Sequence, residues 1–320
     1  MQIVRGISLA SLFLLVGAFG KAHAQTSNHE HTPNHSQSPT RTGVLIMAHG
    51  GNPEWDAGVL ETLEPLMLKY PLEVAFGMAD AYSLQEAVSK LEHQGVTEIA
   101  VVRLFISGES WYERTRQILG LQAGAPVREV PADDHSAHGQ HGSHGAPSDA
   151  NHTMHRMEFW QLDTRANFSM STEGLADAEG MSEVLLSRAL ELSRNPAQED
   201  VLILAHGPED DGENDRWLSA IGERTNLLRQ GGFNEIRVAT LREDWPEKRE
   251  AAQKQVRDFI AASRAAGRTP VVIPYRVHGF GPYAQVLDGL DYVSDGRGLI
   301  PHPAVTRWIE DQIAELGVTP

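Results

Sequence analysis

The sequence predicts an α/β protein built as two similar lobes, each a parallel sheet flanked by helices. Two observations carry this. The run Gly43-Val44-Leu45-Ile46-Met47-Ala48-His49-Gly50 is apolar, rich in β-branched residues, and stops at His-Gly; Asp200-Val201-Leu202-Ile203-Leu204-Ala205-His206-Gly207 repeats it. A run of this length, closed by a glycine turn, reads as a strand buried on both faces. Around each run, strand patterns alternate with helical ones at the spacing of parallel βαβ units.

The first lobe is expected over 43–165. Strand one is 43–49. A helix follows over 53–70, with Pro53 suited to its first turn and Pro65 expected to kink it. Leu72 to Met78 is strand two. Ser83-Leu84-Gln85-Glu86 reads as a capping box opening a helix that buries Leu84, Val88 and Leu91 and ends at Gly95. Glu98 to Ser107 is strand three, Trp111 to Leu121 a third helix, and Pro126 to Val130 a fourth strand. Residues 132–155 break the pattern as a low-complexity loop, after which 156–162 alternates as an extended segment.

A helix over 181–194 leads into the second lobe, expected over 180–320. Strand one is 200–206. A helix spans 214–230 and stops at Gly231-Gly232. Glu235 to Leu241 is strand two. Asp244 is read as the cap of a long helix with Val256, Phe259 and Ile260 inward, ending at Gly267. Pro270 to Val277 is strand three, and Val305, Trp308, Ile309, Ile313 and Leu316 form the stripe of a closing helix. The two lobes match strand for strand.

The chain's N-terminal end has the pattern of an export signal. Arg5 supplies a positive charge, Ile7 to Phe19 an apolar run short for a membrane span, and Ala22-His23-Ala24 a small-residue cleavage pattern, so residues 1–24 read as a signal peptide and the mature chain as periplasmic or secreted, with no stable membrane insertion. Residues 25–42, polar and almost free of apolar side chains, read as a disordered linker. The chain has no cysteine, which excludes disulfides and a cysteine-held iron–sulfur cluster. Without Arg5 and Lys21 the 27 basic residues fall to 25 against 43 acidic ones, a net charge of −18 with His neutral. That balance argues against nucleic acid as a partner and suits cations.

The candidate chemistry lies at strand ends. In open α/β sheets ligands bind at the carboxyl edge of the strands. His206 and His278 follow strands one and three of the second lobe, and two neutral imidazoles there suit Co, Ni, Fe or Zn and can move a proton. His49 is the first lobe's equivalent of His206. Aligning Phe105-Ile106-Ser107-Gly108-Glu109 with Arg276-Val277-His278-Gly279-Phe280 sets Ser107 opposite His278, with Glu109 nearby as a possible carboxylate partner for His49. His135, His138, His141 and His144 recur every third residue in Gly-rich sequence, with His152 and His155 beyond them; flexible imidazoles of this kind capture metal weakly and without geometric selection. Asp210, Asp211, Glu213 and Asp215 read as an acidic helix start. Trp111, Tyr112, Tyr275 and Tyr283 are candidates to line a flat apolar pocket.

The strands ending in His-Gly, the glycine turn His278-Gly279-Phe280-Gly281-Pro282, and Leu299-Ile300-Pro301-His302-Pro303 before the last helix resemble the class II tetrapyrrole chelatases, in particular the CbiX/SirB-type sirohydrochlorin cobalt/iron chelatases. The resemblance covers about 43–130 and 200–317. It implies a cleft between the lobes that takes a metal-free tetrapyrrole, and a histidine pair that binds the incoming divalent metal (Co, Fe or Ni, as substrate) and takes up pyrrole protons. His206 and His278 match that pair. His49 matches only its first member, and Ser107 with Glu109 departs from the second, so the site is expected on the second lobe. The family's serine after His-Gly is Gly51 in one lobe and Pro208 in the other, and the family's usual work is cytoplasmic.

Two functions from different classes follow. One is insertion of a divalent metal into a sirohydrochlorin-like tetrapyrrole. The other is a non-catalytic periplasmic protein that binds metal or tetrapyrrole on the same fold, which the export signal and the His-rich segments fit. A metal-dependent hydrolase would need a further carboxylate ligand at clear spacing, and none is evident.

Overall fold

A computed structural model describes residues 40–128 and 157–320. The export segment, residues 25–39 of the linker, and all six loop histidines from His135 to His155 lie outside the described residues.

The first sheet is formed by β1 (Thr42–Ala48), β2 (Leu72–Phe76), β3 (Glu98–Leu104) and β4 (Asn167–Met170), in the order β2-β1-β3-β4 and parallel throughout. The second is formed by β5 (Glu199–Ala205), β6 (Glu235–Thr240) and β7 (Thr269–Tyr275), in the order β6-β5-β7 and again parallel. The expected α/β fold with two parallel sheets flanked by helices is present.

Side-chain alternation explains how the sheets pack. Val44, Ile46 and Ala48 of β1 and Val201, Ile203 and Ala205 of β5 all join one buried core shared by both lobes. Leu45 and Met47 face the other way, into a core closed by α2 (Ala81–His93) and α3 (Tyr112–Ile118). Leu202 and Leu204 likewise face α7 (Pro246–Ala265). Each first strand is therefore buried on both faces, as a continuous apolar run requires. The shared core is filled by α1 (Pro53–Met67), α4 (Met181–Leu192) and α9 (Pro303–Glu315).

The C-terminal helix crosses back. α9 packs on α1 and β3 of the first lobe. The Thr306 hydroxyl donates to Thr62 O at 2.9 Å, and Lys69 pairs with Glu310 at 2.6 Å. The two lobes are thus held by burial and not by a hinge alone.

Several local expectations need correction. Pro126 to Arg128 makes only an isolated bridge, Val127 with Gln161, and no fourth strand. The fourth strand is Asn167–Met170, four residues at a sheet edge with alternating exposure, too short to show as a hydrophobic run. Residues 157–162 form no strand beyond that bridge. α2 opens three residues earlier than the capping box placed it, because Asp80 and not Ser83 is the cap and accepts from Ser83 N–H at 3.0 Å. α1 begins as expected, with Asn52 capping Trp55 N–H at 2.8 Å, and runs through Pro65 to Met67. The 214–230 helix starts at Asp211 and divides at Thr225 into α5 (Asp211–Arg224) and α6 (Asn226–Gln230). α8 (Tyr283–Val286) is a single turn.

Candidate functional site

The same backbone turn ends the central strand of each sheet. Ala48 pairs with Phe76 and Leu104; Ala205 pairs with Thr240 and Tyr275. The next residue in each case is the histidine. His49 Nδ1 lies 2.6 Å from Gly50 O, and His206 Nδ1 lies 2.6 Å from Gly207 O. Gly50 and Gly207 take φ of 77° and 80°. A Cβ on Gly207 would come within 2.6 Å of Thr240 Cβ, so the turn needs glycine both for its dihedral and for its space. A carbonyl only accepts, so Nδ1 carries the hydrogen and Nε2 keeps its lone pair for a metal or a proton.

The surroundings of the two Nε2 atoms differ. His206 Nε2 is 3.0 Å from Asp244 Oδ2 and 3.7 Å from Glu243 Oε1. Nε2 and these carboxylate oxygens thus converge as neighbouring polar groups at the strand end. Glu243 also accepts from Arg276 at 2.8 Å, while its second oxygen is buried without a hydrogen-bond partner. Trp245 meets the His206 ring edge-on at 5.9 Å. Asp244, expected from its position as the cap of α7, does not cap it: the residue before that helix is Trp245, no side chain caps it, and Asp244 turns to His206 instead. The local signal, Asp before Trp-Pro and a helix, does not separate a cap from a site carboxylate.

His49 is exposed and stands 6.2 Å from the Trp55 ring. By strand register its counterpart of Asp244 is Asp80, which is used as the α2 cap and accepts from Glu158 N–H at 2.7 Å. The counterpart of Glu243 is Ala79.

The register also sets Ser107 against His278, three residues beyond Leu104 and Tyr275. Their uses diverge. Ser107 is buried, and its hydroxyl accepts from Glu109 N–H at 3.0 Å. His278 is half-buried and rests on α1 of the other lobe, where a Cβ on Gly58 would lie 2.6 Å from its Cδ2. Glu109 is held by Arg216 through two hydrogen bonds of 2.7 Å, and that pairing keeps its carboxyl below the usual range. Both oxygens expected to serve His49 are therefore engaged across the lobes. The loop carrying Glu109 is fastened by the buried Arg103, which donates to Gly108 O at 2.7 Å and Ser110 O at 2.9 Å. Burial lowers the Arg103 guanidinium to about 10.

One cavity of about 570 Å³ gathers His49, Glu109, His206 and His278 from both lobes, with Asp244. Trp55, Trp111, Trp217 and Trp245 line it. Of the proposed aromatic lining, Trp111 and Tyr275 are present; Tyr112 lines an adjoining hollow with Ser107, and Tyr283 is buried in the second-lobe core. In the acidic run, Asp210 caps α5 and Asp211 pairs with Arg242 at 2.6 Å and Lys248 at 2.7 Å. Glu213 lines the cavity, where burial raises its carboxyl pKa. Among the described residues no three His, Cys, Asp or Glu side chains come together closely enough to hold a metal ion on their own.

No protein-family model and no curated protein matches the chain. Solved structures do. SirB from Bacillus subtilis with Fe3+ aligns at a TM-score of 0.55 and 15% identity, over 87% of this chain and 96% of that one. The sirohydrochlorin chelatase SirB from Bacillus subtilis subspecies spizizenii in complex with cobalt aligns at 0.52 and 13%, over 87% and 95%. A multi-domain protein from Deinococcus radiodurans, with structural similarity to chelatases and two additional novel domains, aligns at 0.52 and 18%, over 88% of this chain and 56% of that one. This chain spans about half of that protein's length. The fold is therefore the class II chelatase-like fold that the strand-end motifs resemble.

Proposed function

We propose that the chain inserts a divalent metal into a tetrapyrrole held in the cavity between its lobes. The observation that carries the reading is His206, whose Nδ1 is committed to Gly207 O while Nε2 faces Asp244. The shared fold with iron- and cobalt-holding SirB structures supports it. In this reading Nε2 of His206 receives Co, Fe or Ni, and Asp244 and Glu243 balance its charge. His278 borders the same cavity as the second imidazole. As metal passes to the ring, two pyrrole N–H protons must leave; Nε2 of His206, freed of the metal, accepts one and solvent water the other. The indoles supply the flat apolar walls on which a macrocycle packs. We place this activity in the periplasm, reached through the export signal at 1–24, with the His-rich stretch collecting metal.

The test mixes the mature protein with sirohydrochlorin, and separately with deuteroporphyrin, and Co2+, Fe2+ or Ni2+ in separate reactions and follows the absorption spectrum against a protein-free control. Acceleration that is lost in His206→Ala is the expected result. A second reading, a non-catalytic carrier of metal or tetrapyrrole, is favoured by the His278 ring resting on Gly58. It predicts binding in the same assay with no acceleration.

A further inference from the structure

We infer that the cavity selects a flat macrocycle carrying few free carboxylates over a polycarboxylated ring such as sirohydrochlorin. The inference rests on the reading of this cavity as a tetrapyrrole site and narrows its substrate class.

Two features of the lining carry it. The first is charge. Glu109, Glu209, Glu213 and Asp244 line the cavity, whereas Arg276 is the one Lys or Arg among the lining residues, and it is bound to Glu243 at 2.8 Å. Of the neighbouring cations, Arg216 is matched to Glu109, and Arg242 and Lys248 both to Asp211. The chain as a whole carries a net charge of −16 with His neutral. Such a lining attracts a metal cation. A ring with many carboxylates would bring each of them against like charge, with no unmatched Lys or Arg among the described lining residues to receive it. A ring with few carboxylates, or with amides or esters in their place, avoids that repulsion.

The second feature is the apolar wall. Trp111 is 36% exposed and has φ 59°; Met78 has φ 61°; both line the cavity. Bulky residues in the left-handed region are strained, and such strain collects at ligand sites. No side-chain cap at Trp111 accounts for its conformation locally. With Trp55, Trp217 and Trp245 it provides faces for a ring bound through its π surface and not through its rim charges.

The experiment titrates the full-length mature chain with two metal-free porphyrins of different charge and follows quenching of the cavity tryptophans. Deuteroporphyrin carries few carboxylates; uroporphyrin carries them on every pyrrole. Deuteroporphyrin is expected to bind at least about tenfold more tightly at low salt, with the gap narrowing as salt screens the lining. The double variant Glu209→Gln, Glu213→Gln should narrow it too, and Trp111→Ala should weaken deuteroporphyrin. Uroporphyrin binding as tightly as deuteroporphyrin, or a preference unmoved by salt and by both variants, would overturn the inference while leaving the tetrapyrrole site intact. Failure of both rings to bind would overturn that underlying reading as well.

Discussion

His49 and His206 stand on the same backbone and differ in what faces them. Each follows its strand by one residue, and each commits Nδ1 to the next glycine's carbonyl at 2.6 Å. In the second lobe the carboxylate four residues past the neighbouring strand reaches the imidazole; in the first, the equivalent Asp80 caps a helix. Duplication supplied the geometry twice, and side-chain use made one copy a polar site and the other a wall. The lesson is that a repeated motif marks where chemistry can be placed, while the partner of each Nε2 decides whether it is.

The largest test of that difference is metal affinity in the cavity, measured by calorimetry on a chain lacking residues 133–155 so that loop imidazoles do not mask it. His206→Ala should lower affinity on the order of a hundredfold or more, and Asp244→Asn by about 10–100-fold, as for groups that orient a metal-binding histidine. His49→Ala should leave it nearly unchanged. Equal losses from His49→Ala and His206→Ala would erase the asymmetry between the lobes.

A smaller effect reverses the order of the lobes. Asp80→Ala removes the α2 cap and should cost about 1–2 kcal/mol in denaturant unfolding, whereas the equivalent Asp244→Ala, on an exposed side chain, should stay within about 0.5 kcal/mol. A stability loss at Asp244 matching that at Asp80 would mean that both carboxylates are structural.

The smallest effect concerns the helix that joins the lobes. His302 caps α9, its Nδ1 accepting from Ala304 N–H at 3.1 Å. Burial, with the nearby Arg188 adding to it, lowers its pKa from the ordinary 6.5. The unfolded chain then takes up the proton first as pH falls. The stabilisation is complete above 6.5 and is lost as pH drops through the lowered folded value, where protonation also removes the acceptor. The loss should be about 1 kcal/mol, the worth of a cap. Unfolding measured on either side of 6.5 should show it in the parent and not in His302→Asn, which keeps an acceptor without the titration. An unchanged pH dependence in His302→Asn would assign the loss to other groups.

Much of this architecture is legible from local pattern. Val44 to Ala48 and Val201 to Ala205 are buried on both faces because no position in either run is polar, which only a covered parallel strand tolerates. The His-Gly ends follow from the glycine turn, and His49, Glu109, His206 and His278 were all identifiable as strand-end residues. Asn167–Met170 was not, because an edge strand of four residues carries too little hydrophobic signal. Asp244 is not legible as a site residue, because an acidic residue before a helix obeys the capping pattern whether or not it caps.

By itself, then, the sequence determined the parallel order of each lobe, its duplication, and the strand ends where imidazoles stand, since these depend on periodicity and turn chemistry within a few tens of residues. The tertiary structure alone decided that α9 returns to the first lobe, that Arg216 engages Glu109, and that Asp244 faces His206. Those pairings join residues 38 to more than 100 positions apart, and they are chosen by how two packed sheets bring distant side chains within hydrogen-bond reach, which no local pattern encodes.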